Sequence, residues 1–236
     1  PEMRTLNAAY DPAQAAKLLD ELGLTGRDGA GTRLLPGGRP LEIVVESDGE
    51  AEMVLDALLL ITEFWREVGI RLITKPQERT NLHRRSIGGM TIMVAAQGLD
   101  LAVPTAIMPP TELSPAQPEH YSWPLWSMNV ESRGKSGEPC DVPEVQRLLD
   151  LDRQWRDTDD AAKQAAIWRE MLTNHARNTW VIGTVAGALQ PVVGADRLIN
   201  LPKRALYSWE PTAMIGVQRL DELFWETGAD TRAEVR

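Results

Sequence analysis

The chain has 236 residues, of which 43% are hydrophobic and 25% are charged, and this is the profile of a globular protein of one large or two modest domains. Its formal net charge is −9 at pH 7, which argues against a nucleic-acid partner because such partners favour a basic surface. No apolar run reaches the roughly 18 residues that a membrane-spanning helix needs.

The segment 11–96 alternates predicted helices with predicted strands. The first helix has clear boundaries, because Asp11 can cap it, Pro12 suits its first turn and Gly23 suits the position after its end. The glycine-rich stretch 26–40 predicts a loop. The pattern predicts an α/β fold with a mainly parallel sheet flanked by helices. The predicted helices cover 11–23, 50–68 and 78–87, and the predicted strands cover 41–47, 70–74 and 90–96.

The segment 97–140 breaks that alternation. It contains seven prolines and shows no helical period, so it predicts a long irregular loop. Within it lies the sequence YSWPLW, residues 121–126, which places Tyr121, Trp123 and Trp126 around one proline. A structureless loop of this length inside a compact domain is usually functional or mobile.

Two further helices and three short strands are predicted after the loop. The helices cover 143–156 and 159–178, and Asp152 interrupts the apolar side of the first one. The residues from 226 onward lack an apolar pattern and predict a frayed end. The predicted strands cover 180–185, 190–194 and 205–209.

No residue pattern predicts catalysis, a metal site or a cofactor. The three histidines are far apart in sequence and lack metal-ligand spacing. Cys140 is the single cysteine, so an internal disulfide is excluded, and its place in a loop suggests an inert thiol. Neither a nucleophile elbow nor a dinucleotide-binding glycine pattern is present. The basic residues over 79–85 are interpreted as a solvated helix face rather than an anion site.

The aromatic residues of YSWPLW allow two interpretations. Their flat apolar faces and polar edges suit stacking on sugar rings or peptide side chains, and ligand sites combine such faces with a few polar groups. Alternatively, the two tryptophans plug the loop onto the α/β layer, which composition alone favours. Under the first interpretation, the candidate ligand-binding residues are Trp123, Trp126, Tyr121, Asn129, Gln97 and Asp100.

Four segments in order resemble the bacterial extracellular solute-binding proteins of family 5, which include peptide, dipeptide and nickel binders. In the third segment, Thr91 stands where the family usually carries an aspartate. The resemblance covers roughly residues 8–205, and it tips the interpretation of YSWPLW toward a ligand wall. The four segments are YDPAQAAKLLDELGL at 10–24, ITEFWREVGIRLITKPQE at 61–78, GGMTIMVAAQG at 88–98, and the paired helices leading to a strand over 141–185.

This resemblance implies one lobe of a two-lobe fold like that of periplasmic binding proteins. Residues 1–200 would form the carboxy-terminal α/β lobe, and residues 201–236 would return toward a first lobe that the sequence lacks. Asp100 is the nearest match to an acidic residue that follows the third strand in peptide binders of the family and pairs with the amino terminus of the ligand.

The resemblance implies a non-catalytic, substrate-binding component of an ABC importer. It would capture a peptide, an oligosaccharide or an opine-like solute between the lobes and deliver it to a membrane permease. A periplasmic location and a signal peptide in the full-length chain are expected. The alternative is the solute-sensing domain of a cytosolic transcription regulator, and the sequence before Pro1 would distinguish the two.

Overall fold

The structure is a computed structural model that describes residues 6, 8–50, 52–96, 111–117, 121–184, 191–204 and 220–226. The chain divides into two compact units, and each is described by itself. The first comprises Pro1–Gln97 with Ala106–Ile182, and the second comprises Gly98–Thr105 with Gly183–Arg236.

A three-stranded parallel sheet with helices forms the first part of unit one. The strand order is β2-β1-β3, and Val45 at the centre of the sheet pairs with Thr74 on one side and Met93 on the other. The predicted α/β alternation is confirmed. The elements are α1 (Pro12–Glu21), β1 (Glu42–Ser47), α2 (Glu52–Val68), β2 (Arg71–Pro76), α3 (Arg79–Ile87) and β3 (Met93–Ala95).

The core of this part lies between α2 and the sheet. Val45, Leu58 and Leu72 are buried there, and Trp65 of α2 packs against them. The apolar stripe of α2 therefore covers the sheet as its helical period predicts. Asp11 caps α1 by accepting a hydrogen bond from the backbone nitrogen of Gln14, at 2.8 Å.

Arg33, in the glycine-rich loop, is a buried cation that ties this loop to two helix ends. Its Nε donates to the carbonyl oxygen of Val68 at 2.8 Å, and its Nη1 donates to that of Leu24 at 2.5 Å. Its Nη2 donates to the carbonyl oxygen of Ala16 at 3.2 Å, and the half-exposed carboxylate of Asp20 completes its charge pairing. Carbonyl groups at helix ends need such partners because the helix itself supplies none.

Three helices form the second part of unit one: α4 (Pro124–Glu131), α5 (Pro143–Arg156) and α6 (Ala161–Asn178). A short 3-10 turn, Thr111–Leu113, packs beside α6. The buried side chains of Leu113, Leu148, Leu151 and Met171 form a second core.

Asp152 lies on the buried side of α5 with Val145 and Leu148, which is where the sequence pattern places it. Its side chain is 5% exposed, and its Oδ2 accepts a hydrogen bond from Nε of Arg156 at 2.9 Å. An ion pair one turn away compensates the buried charge and lets the carboxylate share the apolar face.

The structure corrects two predictions about irregular and extended segments. The segment 97–140 was predicted to contain no helix, but α4 begins inside YSWPLW at Pro124, because proline suits the first helical position. The predicted strands 180–185 and 190–194 are absent from their described parts, 180–184 and 191–194. Val181 and Ile182 are more than half exposed, so their apolar pattern finds no sheet to pair with. The predicted strand 205–209 lies outside the described residues.

Unit two contains one small antiparallel pair among its described residues. Leu198–Ile199 (β4) pairs with Phe224–Trp225 (β5), and a 3-10 turn, Leu220–Glu222, precedes the second strand. Within the described parts of both units, no helix has the length and apolar character required to cross a membrane.

Candidate functional site

An open cavity of about 310 Å³ lies in unit one, between the turn before β3 and the start of α4. We call it the aromatic cavity. Its aromatic side chains all come from YSWPLW. The lining residues are Gly89, Thr91, Ile92 and Val94 on the first side, Tyr121, Trp123, Pro124, Leu125 and Trp126 on the second, and Glu138.

The start of α4 places two indole rings next to each other. Trp123 adopts a left-handed backbone conformation, with φ 54° and ψ 43°, and Pro124 follows as the first helical residue. The carbonyl oxygen of Trp123 accepts hydrogen bonds from the backbone nitrogen and from Oγ of Ser127, both at 3.0 Å. The rings of Trp123 and Trp126 lie 6.5 Å apart and nearly parallel, with 19° between their planes. The turn into the helix therefore sets the ring positions.

Trp123 belongs to the second core as well as to the aromatic cavity. Its ring lies 5.8 Å from that of His175 and 5.9 Å from that of Trp180. Nε2 of His175 donates a hydrogen bond to the carbonyl oxygen of Leu113 at 2.8 Å. Burial lowers the pKa of His175, and this hydrogen bond opposes the shift only in part. Trp123 thus packs on the helical second core, whereas the plug interpretation placed it on the α/β layer, and it also lines the cavity.

Tyr121 and Trp126 line the aromatic cavity without joining the second core. Tyr121 is 36% exposed, and its ring meets that of His83 edge-on at 6.5 Å. Trp126 is half-buried. Both therefore offer aromatic surface to a ligand.

Two glycines allow the backbone of neighbouring segments to lie close to Leu125 at the start of α4. Gly137 has φ 74°, and a Cβ there would lie 2.2 Å from the carbonyl oxygen of Leu125. Gly89 has φ 66°, and a Cβ there would lie 2.8 Å from Cδ1 of the same residue. The backbone nitrogen of Glu138 donates to the carbonyl oxygen of Leu125 at 3.0 Å. Glu138 is therefore held beside the start of α4.

A buried ion pair anchors the turn that forms the first side of the cavity. Glu46 on β1 is 2% exposed and accepts from Arg85 through both carboxylate oxygens, at 2.7 and 2.9 Å. Arg85 also donates to the carbonyl oxygen of Met90, at 3.2 Å. The hydrogen bonds from Arg85 lower the pKa of Glu46, and burial opposes this shift only in part. The sequence predicted a solvated basic face over 79–85. For Arg85 this prediction is wrong, because a buried carboxylate on the sheet binds it.

The structure brings together three of the six predicted ligand-binding residues: Tyr121, Trp123 and Trp126. Asn129 does not line the cavity, since its Nδ2 donates to the carbonyl oxygen of Ser136 at 3.3 Å. Gln97 and Asp100 lie outside the described residues. Sequence reasoning missed Glu138, which no spacing signal linked to the aromatic residues.

The remaining candidate chemistry is sparse in the described part of the chain. No group of three His, Cys, Asp or Glu side chains there could hold a metal ion. Burial raises the pKa of the Cys140 thiol, which disfavours the reactive thiolate.

No protein-family model matches the chain. No curated protein matches it either.

Solved structures of solute-binding proteins do resemble it. An oligopeptide-binding protein, OppA, is 28% identical with a TM-score of 0.73, and the match covers 96% of this chain and 37% of that one. NikA from Brucella suis, in complex with Fe(III)-EDTA, is 22% identical with a TM-score of 0.54, covering 71% of this chain and 30% of that one. The periplasmic binding protein MelB from Agrobacterium fabrum C58, in complex with stachyose, is 17% identical with a TM-score of 0.61, covering 72% and 25%.

The degree of identity decides what each likeness supports. At 22% and 17% identity, NikA and MelB support the fold alone, whereas OppA is more similar in both sequence and fold. The chain spans little more than a third of the length of OppA. The α/β unit therefore corresponds to part of a lobe of the periplasmic-binding-protein-like fold.

Proposed function

We propose that this chain, which resembles the extracellular solute-binding proteins of family 5, serves as part of the substrate-binding component of an ABC importer. It captures a peptide, an oligosaccharide or an opine-like solute without chemical change. The observation that carries this proposal is the aromatic cavity, where three aromatic side chains line one open space. Aromatic surface beside polar groups is typical of ligand sites that recognise solutes by stacking and hydrogen bonding.

The proposal also includes two partners, a first lobe and a membrane permease, and a cellular location. Residues 1–200 act as the carboxy-terminal lobe, and residues 201–236 return to a first lobe. Closure of the two lobes around the solute stabilises the form that a membrane permease recognises. The protein works in the periplasm or in another extracytoplasmic compartment.

Within this proposal, the aromatic residues have different roles. Trp126 and Tyr121 contact the solute, while Trp123 holds the start of α4 on the second core and contributes an edge of the wall. Asn129 stabilises the segment after α4 through its bond to Ser136. Gln97 and Asp100 stay candidates for polar contacts with the solute.

Thermal stabilisation by solutes tests the proposal. A solute that binds only the folded protein raises the melting temperature by mass action. The chain, and a longer version with its neighbouring sequence, would be melted with di- and oligopeptides, oligosaccharides and opines. We expect one class to stabilise the protein, and Trp126→Ala to remove that stabilisation.

A second tryptophan provides the matched control. Trp225 is 62% exposed and is not among the residues that line the cavity, so Trp225→Ala removes an indole from elsewhere in the chain. It should leave the solute effect unchanged. If Trp126→Ala folds and binds as the unaltered chain does, the aromatic cavity is not the solute site.

A further inference from the structure

The aromatic cavity carries a single negative charge among its described lining residues. Glu138 is the only ionisable acid or base in that set apart from the phenol of Tyr121. Its side chain is exposed, and its carboxylate has no hydrogen-bond or ion-pair partner among the described residues. An unpaired carboxylate at a cavity disfavours anionic ligands and favours cations.

A backbone hydrogen bond holds residue 138 at the cavity. The Glu138 nitrogen donates to the carbonyl oxygen of Leu125, the residue that precedes Trp126. Gly137 allows the close approach, since any Cβ there would collide with the same carbonyl oxygen. The negative charge and the aromatic wall therefore occupy one site.

Aromatic rings attract cations through the negative potential of their faces. The attraction is largest for weakly hydrated organic cations, whose carbons also pack on apolar surface. The cavity offers such surface from Ile92, Val94 and Leu125 beside the rings. Apolar carbon, ring faces and one carboxylate are the groups that recognise a substituted ammonium ion.

We propose that the aromatic cavity selects a small alkylammonium cation, whose charge faces Glu138 and whose carbons pack against Tyr121 and Trp126. This inference rests on the proposed function for the location of the site. To the proposed function it adds that the group bound in the cavity is positively charged and is an alkylammonium.

A pair of isosteric probes separates charge from shape. Choline and 3,3-dimethylbutan-1-ol have the same outline, but only choline carries the positive charge. Binding to the chain would be followed by NMR through the indole N–H signals of Trp123 and Trp126. We expect choline to bind about tenfold more tightly than its neutral isostere, which corresponds to the usual strength of a cation–π contact with a nearby carboxylate.

Two glutamate variants locate the charge that matters. Glu138→Gln should reduce choline affinity about fivefold and leave the affinity for the neutral isostere unchanged. Glu131→Gln removes the same charge from an exposed position at the end of α4 that does not line the cavity, so it should change neither affinity appreciably.

Three results would overturn the inference: no detectable choline binding, equal binding of the two probes, or equal effects of the two glutamate variants. If one of them occurs while peptides or sugars still stabilise the protein through Trp126, only the cationic class is wrong. If no solute depends on Trp126, the proposed function of the cavity fails as well.

Discussion

The two sides of the aromatic cavity come from regions that are held together in different ways. In the sheet region, residues 8–96, buried charged groups tie loops and turns to the framework: Arg33 joins two helix ends, and Glu46 binds Arg85. In the helical region, 111–117 and 121–182, packed aromatic rings hold the elements together, and the ring of Trp123 contacts those of His175 and Trp180. Directional hydrogen bonds fix a turn at one orientation, whereas ring packing fixes a surface by shape. The cavity thus has one side positioned by charge and one by shape.

Removing the buried cation should give the largest effect. Arg33→Met removes three hydrogen bonds to backbone carbonyl groups, so we expect the free energy of unfolding to fall by about 3 kcal/mol. Urea unfolding followed by far-UV circular dichroism measures it. Arg27→Met is the matched control, because Arg27 is exposed and bonds to the same Val68 carbonyl only at 3.4 Å. Similar small losses in both variants would show that Arg33 does not hold the sheet region together.

Removing one ring from the helical region should give the next largest effect. Trp123→Ala leaves a gap on the second core, and we expect a loss of about 2 kcal/mol because the side chain is only half-buried. Trp126→Ala, which removes the same side chain outside that core, should cost less than about 1 kcal/mol. Urea unfolding of both variants measures the difference. Equal losses would remove the distinction between a ring that holds the wall and a ring that lines it.

Lowering the pH should reduce the free energy of unfolding in two steps, first through the helical region and then through the sheet region. We expect these losses to be smaller than those from Arg33→Met and Trp123→Ala. Burial lowers the pKa of His175 below its ordinary 6.5, so the neutral ring contributes stability above that pH, and the contribution is lost as pH falls through the lowered value. Arg85 lowers the pKa of Glu46 below its ordinary 4.5, so this contribution persists until pH falls below about 4.5.

Unfolding free energies measured from about pH 7 to pH 3 should reveal both steps. The difference between the unaltered chain and His175→Gln should shrink first, on moving below about pH 6.5. The difference from Glu46→Gln should shrink only below about pH 4.5. If the two differences vary together, the two regions do not titrate separately.

The sheet region could be predicted from sequence because its signals are local. Asp11, Pro12 and Gly23 bound the first helix, and the apolar stripe of α2 needs only its own period to be recognised. The helix α4 was missed because it is eight residues long, has no side-chain cap and follows a left-handed tryptophan. Packing on distant residues stabilises it, and no local pattern records that packing.

In the candidate site, too, the residues that lie close together in sequence were predicted and the distant one was missed. The aromatic residues were predicted together because they are adjacent in sequence. Glu138 was missed because a backbone bond brings it back to Leu125 from thirteen positions further along the chain. At Val181 and Ile182 a strand was predicted where the structure has none. Their apolar pattern suits a strand, but no neighbouring strand pairs with them.

The segment between Ser132 and Glu138 is tied at several points to the helix that precedes it. Asn129 bonds to Ser136, Ser136 bonds to Ser132, and the Glu138 nitrogen bonds to Leu125. These bonds hold the backbone of residue 138 beside the start of α4, so one continuous segment of the chain supplies both Trp126 and Glu138 to the cavity. A substitution that displaces this segment, such as one at Gly137, would therefore move the aromatic wall and the acidic residue together.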